Sequence, residues 1–194
     1  AAQARDIKLD ISRMEGYRAF LNKLWNAARF AMMNMEGYTP KPYERCTRRW
    51  TDHREAPFDF EALSLADRWI LGRLNATVRQ VDEALEAYRF NDAAQAIYRF
   101  VWNEFCDWYI ELIKDTLYDE SKEGAAGRDA ALGTLYYVLD VALRLLHPIS
   151  PFITEDIWQS FGKAGPAPEA LIVAPWPEVQ PLLDEFEHAQ GAME

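Results

Sequence analysis

The sequence predicts an all-α protein: an antiparallel helical bundle of about five helices with a short extended C-terminal segment. Apolar residues recur at three- and four-residue spacing through most of the chain, as they do on the buried face of a helix. Helix start and stop signals lie at the ends of these repeats. The 194 residues are 49% hydrophobic and 27% charged, which is typical of a globular domain.

The first helix is predicted from Met14 to Met35, where one apolar stripe continues for six turns, and Gly37 ends it. Between residues 38 and 62 the periodicity stops, and prolines alternate with basic residues. We therefore interpret 38–62 as a basic surface insertion. Its five basic residues are Lys41, Arg45, Arg48, Arg49 and Arg54.

The second helix is predicted to start at Ser64, because Ser64 and Asp67 have the spacing of a capping box. Asn91 is the predicted N-cap of a third helix, and the short connection between the two helices favours a hairpin. The residues predicted to face inward on the third helix are Ala94, Ile97, Val101, Phe105, Trp108 and Leu112.

The fourth helix is predicted to end at His147, because Pro148 cannot continue it. Pro151 suits the first turn of a fifth helix, which extends to Phe161. We assign residues 1–162 to the bundle and 163–194 to an extended segment with an acidic tail. The prolines around Trp176 favour the extended conformation there.

The charge of the chain is unevenly distributed. Residues 1–63 contain 11 basic and 9 acidic residues, a net of +2, whereas 64–194 contain 10 and 22, a net of −12. This asymmetry indicates an anionic partner on one face of the molecule. No run approaches the roughly 18 apolar residues of a membrane span, so we expect a cytoplasmic protein without a membrane partner.

Residue patterns for catalysis are not found in the sequence. It contains neither a Gly-x-Gly-x-x-Gly nor a Gly-x4-Gly-Lys-Ser/Thr phosphate-binding loop. The only Glu-x-x-His spacing, Glu185 to His188, is a single copy, too little for a di-iron site. We interpret Cys106 as a small core residue rather than a nucleophile, and His147 as a helix-end residue rather than a base.

Three strings of the sequence carry a resemblance to a known family. They are Tyr17-Arg-Ala-Phe-Leu-Asn-Lys-Leu-Trp-Asn-Ala-Ala-Arg-Phe30, Val101-Trp-Asn-Glu-Phe-Cys-Asp-Trp-Tyr-Ile-Glu111 and Leu146-His-Pro-Ile-Ser-Pro-Phe-Ile-Thr-Glu-Asp-Ile-Trp158. Together they closely resemble the anticodon-binding domain of the class I valyl-tRNA synthetases. The resemblance implies binding of the anticodon arm of valine tRNA.

The family's catalytic domain binds ATP and Mg through His-x-Gly-His and Lys-Met-Ser-Lys-Ser motifs, and neither motif is present here. The resemblance therefore implies an isolated tRNA-reading part of a valine–tRNA ligase, without cofactor or aminoacylation of its own. We expect a monomer that positions tRNA for the catalytic domain of the parent synthetase, and that leads toward a coiled coil beyond the acidic tail.

Bases of a single-stranded anticodon are read by stacking and by hydrogen bonds, while basic and polar side chains hold phosphates. Lys23, Asn26 and Phe30 fall on one side of the first helix, offset from its core stripe, and Arg29 extends the basic frame. The resemblance implies that Phe30 stacks on an anticodon base. It also implies that Ile110 and Glu111 lie against the bases, Glu111 as an acceptor from an amine.

The family often has a basic residue where Ser12 stands, so Arg13 or Lys8 is expected to supply that contact. Spacing alone favours two other interpretations, a buried core role for Phe30 and a solvated acidic face containing Glu111. A different class of function also stays open: a helical protein–protein interaction module, favoured by the acidic charge of 64–194 and the regular apolar seam of the second helix.

Overall fold

The computed structural model describes residues 11–42, 48–119, 121, 124–161 and 167–192, with side chains described from 14 to 186 within these ranges. Every regular element in these ranges is helical, which confirms the predicted all-α class. The antiparallel arrangement of the bundle stays a prediction. Within the same ranges, no helix combines the length and the apolar composition needed to cross a membrane.

Helix α1 spans Ile11–Asn34, close to its predicted bounds. The chain turns at Gly37, whose φ of +80° lies in the left-handed region that strains a residue with a side chain. The position of Gly37 just beyond the end of α1 is therefore as predicted, and its left-handed conformation is one that glycine adopts without strain. The buried face of α1 consists of Phe20, Leu24, Ala27, Ala28 and Ala31.

Helix α2 spans Leu65–Glu86 and starts with the predicted capping box. The Ser64 Oγ accepts the backbone N–H of Asp67 at 3.2 Å, and the Asp67 Oδ2 accepts the backbone N–H of Ser64 at 3.0 Å. The Tyr109 hydroxyl donates to the other oxygen of Asp67 at 2.8 Å. The cap therefore also joins α2 to the next long helix.

That next helix has three consecutive parts, which we call the third bundle helix. They are α3 (Phe90–Arg99), a π-helical segment (Phe100–Tyr109) and α4 (Ile110–Leu112). The short helix α5, Lys114–Tyr118, follows after a single residue. The predicted N-cap was wrong, because Arg89 occupies that position without a side-chain cap and Asn91 lies inside α3.

The π-helical segment changes which residues of the third bundle helix face inward. Its hydrogen bonds join residues five apart, as between the Ile110 N–H and the Phe105 carbonyl, so the helix turns less per residue. The inward prediction is correct for Ile97, Val101 and Phe105, whereas Ala94 is only partly buried and the two residues predicted beyond Phe105 are exposed. Trp108 is 60% and Leu112 41% exposed, while Tyr109 is buried.

Helix α6 spans Ala125–Leu146 and passes through the centre of the molecule, since every residue from 130 to 147 is buried. A helix that is buried on all sides must satisfy its charged groups internally. Asp140 does so by pairing with Arg144 at 2.8 Å and by accepting the Trp158 indole N–H at 3.2 Å. Trp158 belongs to α7, Pro151–Ser160, which starts at proline as predicted.

The described part of the 38–62 insertion is not confined to the surface. Trp50 and Phe58 are each 2% exposed, and the Trp50 ring centroid lies 5.1 Å from that of Tyr137 on α6. A Cβ on Gly133 of α6 would come within 2.9 Å of the Pro57 carbonyl oxygen, so glycine permits this close approach. Trp50 and Phe58 are therefore core residues, and the interpretation of 38–62 as a surface insertion is wrong for them.

The C-terminal segment is not helical over residues 174–180, but the extended conformation predicted from Leu171 was wrong for Leu171–Val173, which form a 3-10 helix, and a second 3-10 helix, Pro181–Ala192, was not predicted either. Gln180 is buried and exchanges hydrogen bonds with Asn75 of α2 at 2.7 and 3.0 Å. The Gln180 side chain also accepts the Trp50 N–H at 2.8 Å. Gln180 thus joins the C-terminal segment to α2 through its backbone and to the insertion through its side chain.

Candidate nucleic-acid interface

Six of the eight predicted tRNA-binding residues have described side chains, on two elements that contact each other. Ser12 and Arg13 lie in the first turn of α1, but their side chains are outside the described residues. The contact between α1 and the third bundle helix brings the two groups into one region. Lys23, Asn26, Arg29 and Phe30 belong to α1, whereas Ile110 and Glu111 belong to α4.

Phe30 and Glu111 meet around one ammonium group. The Nζ of Lys114 lies 2.7 Å from both carboxylate oxygens of Glu111 and 6.0 Å from the centre of the Phe30 ring. Phe30 is half-buried against the core, while the Glu111 side chain is 61% exposed. An aromatic ring, a carboxylate and a cation thus share one surface, and we call these three residues the Phe30 cluster.

Ile110 does not belong to this surface. Its side chain is only 6% exposed, and the nearby Ile113 is 1% exposed. That Ile110 lies against the anticodon bases stays a prediction, and in the structure described its side chain belongs to the core rather than to the exposed surface. Ile110 belongs to the core, whereas the side chain of the adjacent Glu111 is exposed.

Lys23 makes contacts within the protein. Its ammonium forms an ion pair with Asp107 and lies 4.0 Å from the centre of the Trp102 ring. Both partners belong to the third bundle helix, so Lys23 joins that helix to α1. In the structure described, the Lys23 ammonium thus contacts protein side chains, whereas the sequence predicted that it contacts tRNA.

Asn26 and Arg29 are exposed on α1, within one turn of Phe30. Asn34 donates its side-chain amide to the Phe30 carbonyl at 2.9 Å, which stabilises the end of the helix beside the ring. Both side chains are therefore accessible beside the ring, and their contact with tRNA stays a prediction.

The carboxylates of the third bundle helix are paired with cations rather than simply solvated. Glu104 accepts two hydrogen bonds from Arg73 of α2, at 2.9 and 2.6 Å. Asp107 pairs with Lys23 of α1 and Glu111 with Lys114 of α5. Because three different helices supply the cations, this face carries less negative charge than its sequence indicates.

Sequence reasoning missed Lys114 and Trp102. Lys114 follows Glu111 by three residues, the spacing at which opposite charges meet on a helix, so the pair could have been found. Trp102 stacks nearly parallel to Tyr98, at 5.8 Å between ring centroids, and belongs to a half-exposed aromatic group. The residues on either side of Trp102 in the sequence contain no local signal for that packing.

Two basic residues of the insertion form ion pairs with neighbouring carboxylates. Arg48 lies 3.3 Å from Glu55, and Arg54 lies 2.8 Å from Asp52. The hydrogen bonds from Arg54 hold the pKa of Asp52 well below its usual range. Arg48 and Arg54 keep 61% and 90% of their side chains exposed, so both remain available to an anion, and Arg45 lies outside the described residues.

The side chains considered for catalysis occupy structural positions. Burial raises the pKa of the Cys106 thiol to about 12, which keeps it protonated. The His147 Nδ1 lies 2.8 Å from the Thr154 hydroxyl, across the turn between α6 and α7. Among the described residues, no cluster of three or more His, Cys, Asp or Glu side chains is arranged to hold a metal ion.

A helical bundle that presents an aromatic ring, an acceptor and basic side chains on one face has the features of a domain that binds single-stranded RNA. Residues 67–194 match the family model described as the anticodon-binding domain of tRNA ligase. Because this match covers more than half of the chain, the protein belongs to that family of anticodon-binding domains.

The chain is similar to valine–tRNA ligases of several bacteria. It is 52% identical to that of Geobacter sulfurreducens over 184 residues, which are 95% of this chain and 19% of the relative. It is 46% identical to that of Thermotoga maritima over 186 residues, 95% of this chain and 18% of the relative. The chain thus spans about one fifth of the length of these relatives.

One solved structure shows the same fold. It is a ternary complex, LeuRS-tRNA-LeuAMS, from Agrobacterium radiobacter K84, and its similarity has a TM-score of 0.56. The match covers 92% of this chain and 18% of that chain, at 20% sequence identity. At this identity the likeness supports the arrangement of helices alone.

Proposed function

We propose that this chain binds the anticodon arm of valine tRNA through the face formed by α1 and α4. The observation that carries the proposal is the Phe30 cluster, in which a ring and a carboxylate from distant parts of the sequence meet. Phe30 stacks on an anticodon base, and Glu111 accepts from the exocyclic amine of an adenine or cytosine. The exposed Asn26 and Arg29 contact the flanking nucleotides.

The choice of valine tRNA is supported by the names of the relatives, which are valine–tRNA ligases. In this proposal the chain works with the catalytic domain of such a ligase and does not itself aminoacylate. It takes no cofactor, and the ATP and Mg of the reaction bind to the catalytic domain. It acts as a monomer in the cytoplasm, without a membrane partner.

A second candidate function is docking to another protein domain. Phe152 at the start of α7 is 90% exposed, and Ile172 in the C-terminal segment is 75% exposed. Ile172 also lines a cavity of about 400 Å³ together with Pro148 and Pro151. Exposed apolar groups of this kind mark interaction surfaces, which favours contact with the catalytic domain of the ligase.

Titration of RNA stem-loops that differ only in the anticodon tests the first function. We expect the valine anticodon to bind more tightly than the others, and the affinity of every stem-loop to fall steeply with salt. Equal affinity for all anticodons would contradict the proposal. Phe152→Ser serves as the control, because it removes the exposed apolar ring of α7 and is expected to leave RNA affinity unchanged.

A further inference from the structure

The Lys114–Glu111 pair raises an electrostatic question. A lone carboxylate repels an approaching phosphate backbone over roughly 10 Å at 0.1 M salt, yet the proposed function requires Glu111 to meet RNA. Lys114 contacts both Glu111 oxygens at 2.7 Å, so the pair carries no net charge. Glu104 and Asp107 of the third bundle helix are also compensated by basic side chains.

We propose that Lys114 is a positioning residue of the anticodon site, which neutralises Glu111 and fixes its carboxylate beside the Phe30 ring while leaving it free to accept from a base. This inference rests on the proposed function. Lys114 is held in place by Ile113, the buried residue that separates α4 from α5. The break puts the start of α5 against the end of α1, where the Phe30 ring lies.

Lys114 does not have to leave for RNA to bind. A carboxylate offers about four acceptor positions on its two oxygens, and the two hydrogen bonds from Lys114 use two of them. The remaining positions can accept an exocyclic amine. The Glu111 side chain is 61% exposed and would be free to adopt several rotamers without a partner. The ion pair with the Lys114 ammonium limits it to fewer of them.

A double-mutant cycle on the full chain tests this role, with the valine anticodon stem-loop as the probe. Lys114→Met keeps most of the side-chain length but leaves Glu111 uncompensated, so we expect affinity to fall about tenfold at low salt and the loss to shrink as salt rises. In the double variant E111Q/K114M the charge is again balanced, as in the wild type. Most of the affinity should return, without preference for the valine anticodon.

Arg89→Met is the matched control. Arg89 belongs to an exposed pair with Asp92 that also spans three residues, and it lies roughly 35 Å from Lys114 along the third bundle helix. Arg89→Met changes the net charge by the same amount as Lys114→Met, so we expect affinity to change by less than about twofold. Thermal unfolding checks that each variant folds, since exposed ion pairs contribute little to stability.

Three results would overturn the role of Lys114. Tighter binding by K114M would mean that Lys114 covers Phe30 and competes with the base. An equal loss from K114M with and without E111Q would mean that Lys114 contacts RNA directly, and no loss would mean that it has no role. The proposed anticodon binding itself fails if the wild-type chain shows no anticodon preference and Phe30→Ala leaves its affinity unchanged. If the wild type does show that preference and only the Lys114 variants depart from expectation, the role of Lys114 alone fails.

Discussion

The ammonium group of Lys114 lies 6.0 Å from the centre of the Phe30 ring, so the end of α1 and the start of α5 meet at one surface. Phe30 is half-buried, with one part against the core and the rest accessible. A ring in this position loses little freedom when a base stacks on it, because its conformation is already fixed by packing. This arrangement determines what substitution of Phe30 should do.

Phe30→Ala should weaken binding of the valine anticodon stem-loop by tenfold or more. Stacking of a base on an aromatic side chain contributes about 1–3 kcal/mol, and removal of the ring abolishes that contribution. The measurement is a fluorescence anisotropy titration. Phe30→Leu is the control for packing: it preserves most of the apolar contact with the core, so thermal stability should recover while affinity does not.

Glu111→Gln should act on the choice of anticodon rather than on stability. Glutamine keeps the shape of the side chain but has an amide that donates, so adenine and cytosine should lose their advantage at the contacted position. Because Glu111 is 61% exposed, the melting temperature should stay unchanged. Competition among stem-loops with single base changes measures the preference, and an unaltered ranking would exclude Glu111 as a base reader.

Local signals in the sequence predicted helix ends better than they predicted helix faces. The Ser64 capping box and Gly37 act within a few residues, and both are where the sequence indicates. The outward position of Trp108 depends on the π-helical segment before it, which shifts the phase of the helix. An α-helical period of 3.6 residues cannot anticipate that shift.

The candidate site was predictable only in part, because its residues come from separate elements. Phe30 and Glu111 were identified through resemblance, since periodicity alone favoured a core residue and an acidic face. Lys114 was missed, and Ile110 is buried although its neighbour Glu111 is exposed. Burial at adjacent positions depends on how α4 packs, which is a tertiary property that spacing does not encode.

Removal of the exposed insertion arginines should weaken all tRNAs alike. Arg48 and Arg49 are exposed and adjacent, so we expect R48A/R49A to lower the slope of log affinity against log salt by about one for each phosphate that is no longer neutralised. Discrimination among anticodons should stay the same. The charge-matched control is R89A/R99A, and selective weakening of valine tRNA alone would instead assign base reading to the insertion.

Cys106 should be almost inert to alkylation in the folded protein. Its pKa of about 12 lies more than three units above that of a free thiol, so the reactive thiolate is about a thousandfold scarcer at pH 8. The rate of iodoacetamide labelling, followed by mass spectrometry in a C46S background, measures this. Labelling as fast as in the urea-unfolded chain would show that Cys106 is accessible and ionised, against its position in the packed helix.

Asp67→Asn should destabilise the fold by about 2 kcal/mol at neutral pH, because hydrogen bonds to a charged acceptor contribute about 1.5–3 kcal/mol. Asp67 is fully buried and accepts from Ser64 and Tyr109, whereas an asparagine amide would point its own donors at one of these groups. For a domain of this size the melting temperature should fall by about 4–8 °C. Ser64→Ala, which removes only the cap, should cost about 1 kcal/mol.

The difference in stability between wild type and Asp67→Asn should widen as the pH falls from 7 towards 4. Burial raises the pKa of Asp67 above 3.8, although its bonds to Ser64 and Tyr109 oppose this shift. At pH values between the pKa of Asp67 in the unfolded chain and its higher pKa in the folded protein, the native state binds more protons than the unfolded state. The contribution of Asp67 to the free energy of unfolding is therefore greatest at low pH and is lost as the pH rises. Other carboxylates titrate in both proteins and cancel in the difference. A gap that narrows on acidification, measured by urea unfolding at each pH, would show instead that the hydrogen bonds outweigh burial and that the native state favours the charged form of Asp67.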